Sequence, residues 1–202
     1  MKDLEWKLKL KENFEASDSD DDNKVEASHN RIYFYSEVKR SKVLSLNKYI
    51  RNLNINLETV ALSYCTGPKD RSIYLHINSY GGSVFAGLAA VDYIKNSKVP
   101  ICSIVDGCAA SAATLMSVVA EERKMHEHSF MLIHQLSSGM WGKFEELKDD
   151  IKNCEVLMST IKGIYQNHTN IPKSKIEQIL KRDLWFDAKT CLKYGLVDEI
   201  IT

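Results

Sequence analysis

The sequence predicts an α/β domain built on a mostly parallel sheet with crossover helices. Two observations support this fold class. Short, β-rich apolar segments alternate with longer segments of helical period, and this alternation continues from residue 31 almost to the C-terminus. No internal repeat interrupts it. A chain of 202 residues is also long enough to bury a sizeable core in one such domain.

The first 30 residues differ in composition from the rest of the chain. They contain nine acidic residues and five lysines, and the run ASDSDDDNK lacks large apolar side chains. Such a segment buries too little apolar surface to offset the entropy lost on ordering. We therefore expect residues 1–30 to be an acidic, flexible N-terminal segment and residues 31–202 to form the folded domain.

The elements of the domain follow from the two periods. Alternating or continuous apolar runs predict strands, and apolar residues three or four apart predict helices. In order, the sequence predicts a strand at 32–35, a helix across 43–57, a strand at 72–78, a helix at 84–96, a strand at 99–105, an Ala-rich helix at 111–122 and a strand at 129–134.

A long helix is predicted over residues 143–167. Its apolar residues recur at spacings of 4, 3, 4, 3 and 4, which makes a narrow stripe: Leu147, Ile151, Cys154, Met158, Ile161 and Tyr165. Two interpretations stay open, a core helix and a protruding helix that packs on another subunit. Beyond it we expect a short helix at 173–181, a helix capped by Asp187 that ends at Gly195, and a strand at 196–201.

Composition excludes several functional classes. The 27 basic and 27 acidic residues balance, which argues against nucleic-acid binding through long-range charge. No apolar run has the length of a membrane span, and the N-terminus lacks the apolar stretch of a secretory signal, so we expect a cytoplasmic protein. Five widely spaced cysteines and the pair His126 and His128 form no metal-ligand pattern, so no metal or cofactor is expected.

Three residues have positions that suit catalysis. Ser111 stands between a buried strand and a helix start, where backbone N–H groups stabilise a developing oxyanion. His134 follows an apolar strand, and Asp183 lies in a late loop. Each also has a simpler interpretation: Ser111 as a helix cap, His134 as a surface or core histidine, and Asp183 as a loop acid.

The pair Gly81-Gly82 completes this set. It forms a turn after a strand, and glycines let a ligand approach the backbone closely. Together the four features supply a nucleophile, a base, an acid that orients the base, and backbone donors for an oxyanion. The chain order Ser, His, Asp differs from that of chymotrypsin, subtilisin and the α/β-hydrolases.

At these residues the chain resembles the proteolytic subunit family of the Clp protease. Four stretches carry the resemblance, which covers about residues 31–201: SIYLHINSYGGSVFAGLAAVDYI, VPICSIVDGCAASAATLM, HSFMLIHQ and RDLWFDAKTCLKYGLVDEI. The resemblance implies a crotonase-like α/β fold in which the long helix is a protruding handle. Tyr80 departs from the family, which usually has proline before the glycine pair.

The resemblance also implies a role for each matching residue. Ser111 falls on the nucleophile, His134 on the general base and Asp183 on the triad acid. The backbone N–H groups of Gly82 and Ala112 fall on the oxyanion hole. An extended substrate is expected as an added strand along two short segments, bound mainly through main-chain hydrogen bonds. These segments comprise Gly81, Gly82, Ser83, Val84, Gln135, Leu136 and Ser137.

The function implied is a serine endopeptidase subunit of a self-compartmentalised ring protease that cleaves unfolded polypeptides into short peptides. Stacked heptameric rings are the expected homo-oligomer. An AAA+ unfoldase is the family's partner, but an acidic segment stands where the family carries the stretch that meets it, so this partnership stays open. Neither nucleic acid nor membrane is expected as a partner.

Four alternatives remain beside this function. The atypical N-terminus favours a phage-type relative that processes capsid proteins. A non-catalytic ring subunit would typically lack a triad member, and here all three are present. An acyl-CoA enzyme on the same fold would not need the triad, and a membrane-associated signal-peptide peptidase would favour a lysine base and an anchor.

Overall fold

The computed structural model describes residues 24–63 and 71–202. Within these ranges the chain forms eight strands and six helices. The strands are β1 (Lys24–Ser28), β2 (Arg31–Tyr35), β3 (Ile73–Ser79), β4 (Ile101–Ala110), β5 (Glu122–His126), β6 (Phe130–Leu132), β7 (Trp185–Phe186) and β8 (Glu199–Ile201). The helices are α1 (Arg40–Ser63), α2 (Val84–Lys95), α3 (Ala112–Val118), α4 (Phe144–His168), α5 (Lys173–Leu180) and α6 (Ala188–Lys193).

One mixed sheet organises the domain, as the sequence predicts. Its main path runs β1-β2-β3-β4-β5-β8, and every neighbouring pair from β2 onward is parallel. β1 is antiparallel to β2, and β6 joins the second half of β4 in parallel before pairing antiparallel with β7. Parallel pairs need crossover connections, and α1, α2 and α3 supply helices between them.

A kink in β4 directs the chain toward the functional site. The first half of β4 pairs with β5, and its last three residues pair with β6 instead. Gly107 lies at the change of partner with a φ of +78°, which a residue without a Cβ adopts at little cost. The Ser129 hydroxyl holds the kink, because it accepts from the Gly107 N–H at 2.8 Å and donates to the Val105 carbonyl at 2.9 Å.

The core lies between the sheet and the helices that cover one of its faces. Alternate residues of β2 and β3 supply one side, and the small residues of α2 and α3 let these helices pack closely on it. The fully buried side chains include Ile32, Phe34, Leu75, Ile77, Ala90, Ala113, Leu115 and Met116. Cys102, Cys108 and Cys191 are buried free thiols, as expected of small apolar residues.

Some predicted element bounds differ from the structure. The helix predicted to reach residue 122 ends at Val118, and residues 122–126 form β5. This strand reads ERKMH and buries only Met125, so it lacks the alternation that reveals a strand. β1 at 24–28, which pairs antiparallel with β2, lies before the predicted domain start at Arg31. The rest of the predicted acidic segment, residues 1–23, lies outside the described residues.

The stripe of α4 divides into two halves. Only Ile161 and Tyr165 of this helix are buried, and both lie in its C-terminal half. Trp141, just before the helix, is 99% exposed, and Phe144 and Ile151 are also exposed. Thus α4 is a core helix at its end and a protruding helix at its beginning. Among the described residues, no helix combines the length and apolar content needed to cross a bilayer.

A polar network lies on the sheet face opposite the core. Asp106 Oδ2 accepts from the Tyr35 hydroxyl at 2.7 Å and from His76 Nδ1 at 2.8 Å. Arg31 lies 2.8 Å from the other nitrogen of His76, and His126 Nε2 lies 3.2 Å from Asp106 Oδ1. Burial by itself raises the pKa of Asp106, but the hydrogen bonds from His76 and Tyr35 outweigh it and hold the pKa below its ordinary value.

We expect Asp106→Asn to lower the free energy of unfolding by about 1–3 kcal/mol at neutral pH, because it replaces the charged oxygen that accepts from Tyr35 and His76 with a neutral amide oxygen and places an NH₂ group where Oδ1 faces His126. Since the folded-state pKa is depressed, the carboxylate's contribution is complete above the ordinary pKa of aspartate. It is lost as the pH falls through the lower folded value. Urea unfolding of both proteins at a fixed protein concentration checks this, and equal midpoints at pH 7 would contradict it.

Candidate active site

Ser111 lies at the junction of β4 and α3 in a backbone conformation that residues other than glycine rarely adopt. Its φ is +54° and its ψ is −126°, and its side chain makes no capping hydrogen bond to α3. Such a conformation costs a non-glycine residue about 1–3 kcal/mol. The simpler interpretation of Ser111 as a helix cap therefore fails, because the hydroxyl does not cap the helix and the backbone is strained.

His134 follows β6 and is paired with Asp183. Its Nδ1 lies 3.2 Å from Asp183 Oδ1, with the histidine side chain 23% exposed and the carboxylate 80% exposed in the single chain. The Ser111 N–H donates to the Leu132 carbonyl at 2.8 Å, which places the serine beside the end of the strand that leads to His134. The sequence-predicted acid and base are thus brought together, with the acid near solvent.

The glycine turn packs directly against Ser111. A Cβ added to Gly81 would lie 2.6 Å from Ser111 Cβ and 3.2 Å from the Ala112 nitrogen. The turn is held from the other side by Val38, which donates to the Gly81 carbonyl at 2.7 Å and accepts from the Ser83 N–H at 2.8 Å. This pairing leaves the Gly82 N–H unused within the described part of the chain. Ala112, in the first turn of α3, also has no intrahelical acceptor for its N–H.

A cleft of about 310 Å³ joins these features. It is lined by most of the sequence-predicted residues: Gly82, Ser83, Val84, Ser111, Ala112, His134, Gln135, Leu136 and Ser137. Gly81 lies behind the cleft against Ser111, and Asp183 lies on the far side of His134. The remaining lining consists of Leu115, Ile161 and Tyr165. The sequence predicts no part in the site for these three residues, although Ile161 and Tyr165 belong to the predicted stripe of α4.

Several backbone donors near the cleft are already engaged. The Gln135 N–H donates to the Leu180 carbonyl at 2.7 Å, and the Leu136 N–H points to the Met158 sulfur at 3.0 Å. The Ser83 N–H is taken by Val38, and Val84 begins α2. The carbonyls of Gly81 and Ser83 are also engaged, by the Val38 and Gly87 N–H groups. A peptide added along these segments therefore meets the carbonyl groups of Gln135 and Leu136 and the backbone of Gly82 and Ser137.

The arrangement has the parts of a nucleophilic site. A serine hydroxyl, a histidine with a carboxylate partner, and two unused N–H groups open into one cleft. Among the hydrogen bonds of the described residues, none joins the Ser111 hydroxyl to His134. Catalytic hydrogen bonds are commonly long before substrate binds. The same part of the chain contains no cluster of three or more His, Cys, Asp or Glu residues that could hold a metal ion.

Two comparisons with known proteins found similar sequences. The sequence model of the Clp protease family matches residues 26–202. The ATP-dependent Clp protease proteolytic subunit of Deinococcus radiodurans is 33% identical over 134 residues, which are 65% of this chain and 66% of that protein. The chain thus spans just under two thirds of the length of this relative.

Proposed function

The chain belongs to the Clp protease family, and on this premise we propose that it is a serine endopeptidase subunit that cleaves unfolded polypeptides into short peptides. Ser111 is the nucleophile, His134 the general base and Asp183 the residue that orients the histidine. The convergence of these groups and two free N–H donors on one cleft is the observation that supports the proposal.

The proposed reaction proceeds in two halves. His134 takes the Ser111 proton as the hydroxyl oxygen attacks the scissile carbonyl, and the N–H groups of Gly82 and Ala112 donate to the resulting oxyanion. The protonated His134 then gives its proton to the leaving amine, which departs and leaves an acyl ester on Ser111. In the second half His134 deprotonates a water molecule that hydrolyses the ester and regenerates the serine hydroxyl.

The backbone groups that line the cleft suit a substrate that is recognised through its main chain. Backbone carbonyls around Gln135 and the backbone of Gly82 supply hydrogen bonds that do not depend on side-chain identity. Such binding tolerates many sequences, so selectivity must come from access to the site. Enclosure in a ring would provide this control, which is consistent with the proteolytic subunit named for the relative.

The exposed start of α4 is the proposed contact between rings. Trp141, Phe144, Ile151 and Val156 present large apolar side chains to solvent in the single chain. Monomers rarely expose such a surface without a partner. We assign this surface to stacking of subunit rings, with heptamers expected from the family resemblance. An AAA+ unfoldase is proposed as a partner on the family resemblance alone, because an acidic segment stands where the family carries the stretch that meets it. The proposed location is the cytoplasm.

The alternatives have less support. A non-catalytic subunit has no need of the strained Ser111, the paired His134 or the tight glycine turn, and all three are present. A capsid-processing relative would use the same chemistry and differ only in its substrate.

Covalent labelling tests the proposed function. The assembled protein is treated with a fluorophosphonate probe, its intact mass is measured and the modified residue is mapped. We expect one adduct per chain, on Ser111. Native mass measurement in the same sample establishes whether the chain is assembled. A folded, ring-sized assembly without an adduct would overturn the proposal, as would an adduct on another residue.

Asp183→Asn should reduce kcat/KM for peptide hydrolysis by about 10- to 100-fold, because the amide no longer favours the correct histidine tautomer. The effect should be smaller than for a buried triad acid, since solvent screens a carboxylate that is 80% exposed. Asp187→Asn is the matched control, because Asp187 caps α6 through the Thr190 N–H and asparagine caps equally well. Equal rates for the two variants would refute the role of Asp183.

A further inference from the structure

Two buried hydroxyl groups connect α4 to the carbonyl of Ser111. The Thr114 hydroxyl donates to the Ser111 carbonyl at 2.6 Å, and the Thr114 N–H donates to the same oxygen at 3.0 Å. The Tyr165 hydroxyl lies 2.5 Å from Thr114 Oγ1. The sequence pattern predicts Tyr165 only as a member of the apolar stripe of α4, and the proposed function leaves both hydroxyls without a role.

The direction of these hydrogen bonds follows from the number of protons. A threonine hydroxyl has one proton, and that proton is used on the Ser111 carbonyl. Tyr165 must therefore donate to Thr114, which gives the order Tyr165 to Thr114 to Ser111. Donation by Tyr165 also polarises the threonine hydroxyl and strengthens its bond to the carbonyl.

Both members of the relay are shielded from water. Thr114 is fully buried and Tyr165 is 1% exposed. Burial raises the pKa of the Tyr165 hydroxyl, so it is protonated and able to donate at neutral pH. Burial limits the access of water to these bonds, so removing the Tyr165 hydroxyl would leave Thr114 Oγ1 without its hydrogen-bond donor.

The carbonyl that the relay holds belongs to the same planar peptide group as the Ala112 N–H. In a trans peptide the C=O and N–H bonds point in opposite directions. Fixing the Ser111 oxygen therefore fixes the direction of the Ala112 N–H, which is one of the two proposed oxyanion donors. This peptide follows a residue with a φ of +54°, so its orientation does not come from a relaxed backbone.

We propose that Tyr165 is a positioning residue of the active site: through Thr114, its hydroxyl orients the Ser111–Ala112 peptide and aims the Ala112 N–H at the oxyanion. The inference rests on the proposed function, because the direction of the Ala112 N–H matters only if the protein catalyses acyl transfer.

Tyr165→Phe is the central variant, because it removes the donor and keeps the ring. We expect kcat on a fluorogenic dipeptide amide, and the rate constant for fluorophosphonate labelling, to fall on the order of tenfold. KM should change less than twofold, since the oxyanion forms only in the transition state. Tyr93→Phe is the matched control, because Tyr93 lies half-exposed on α2 outside the cleft, and its kinetics should equal those of the wild type.

Thr114 variants test the relay itself. Thr114→Val removes the hydroxyl at similar volume and should lower kcat as Tyr165→Phe does, whereas Thr114→Ser restores the hydroxyl and should recover most of the rate. In the Thr114→Val background, Tyr165→Phe should cause no further loss, because both changes break one chain of bonds. If Tyr165→Phe does not fold, as judged by circular dichroism and native mass, the comparison of valine with serine at position 114 decides.

The outcomes separate the two proposals. Wild-type protein that labels on Ser111, together with a folded Tyr165→Phe variant of unchanged kcat and labelling rate, overturns the relay and leaves the proposed function standing. A loss confined to KM, or fully additive losses in the double variant, also overturns the relay. A wild-type assembly that never labels refutes the proposed function, and the relay with it.

Discussion

Ser111→Ala is expected to abolish fluorophosphonate labelling and to lower kcat for peptide hydrolysis by about 10⁵- to 10⁶-fold. The variant removes only the hydroxyl oxygen, which makes no cap bond to α3 and so contributes little to the fold. Its Cβ remains in place, so the positive φ and the contact with Gly81 are preserved. The assembly should therefore survive while the chemistry is lost. Burst-phase kinetics measure the loss of hydrolysis, intact mass measures the loss of labelling, and native mass measures whether the assembly survives.

Two further variants make this result specific. Ser45→Ala changes a serine that bonds only to the Ser41 carbonyl within α1, and it should leave labelling and hydrolysis unchanged. Ser111→Gly should be as inactive as Ser111→Ala but more stable by about 1 kcal/mol, because glycine relieves the strain of a positive φ. Retained labelling in Ser111→Ala would show that another residue is the nucleophile.

The sequence predicts the fold class and the location of the site because both depend on local patterns. An alternating apolar run marks β3, a continuous apolar run marks the first half of β4, and turn residues follow the two strands at Gly81 and Ser111. Parallel strands bring such turns to one edge of a sheet. The long helix is also predicted within one residue at each end, since its spacing of apolar residues continues from Leu147 to Tyr165, over about five turns.

The features that the sequence does not reveal depend on contacts between distant segments. The network around Asp106 joins residues from β2, β3 and β5, and no pattern within any one strand indicates it. β5 itself is polar because only Met125 faces the core. The relay from Tyr165 spans 51 positions, and an apolar stripe does not show that one of its members uses its hydroxyl.

The conformation of Ser111 is a further case. A serine between a strand and a helix is predicted to cap that helix, because capping is what serine most often does there. The structure instead holds it at a positive φ between Gly81 and the hydrogen bonds of its own N–H and carbonyl. Here the contacts with β6 and α3 outweigh the preference of serine for capping a helix. This is expected where function requires a strained residue.

Gly81→Ala should eliminate measurable peptide hydrolysis and lower the free energy of unfolding by about 2–4 kcal/mol. The added Cβ would lie 2.6 Å from Ser111 Cβ and 2.7 Å from the Ala110 carbonyl oxygen, and both are fixed parts of the nucleophile turn. The φ of +96° is a second cost, because alanine does not adopt it readily. Relief of the clash must move either Ser111 or the Gly82 N–H, so activity falls even in molecules that remain folded.

Gly163→Ala provides the matched comparison, because the residue lies inside α4 and a Cβ there meets no atom of another element within 4 Å among residues 24–63 and 71–202. That change should raise the free energy of unfolding by about 0.5–1 kcal/mol through helix propensity, with activity unchanged. Urea unfolding, native mass and labelling rate are measured on both variants. A folded Gly81→Ala protein that labels at the wild-type rate would show that the turn tolerates a side chain. The close approach of the glycine backbone to Ser111 would then not be required for catalysis.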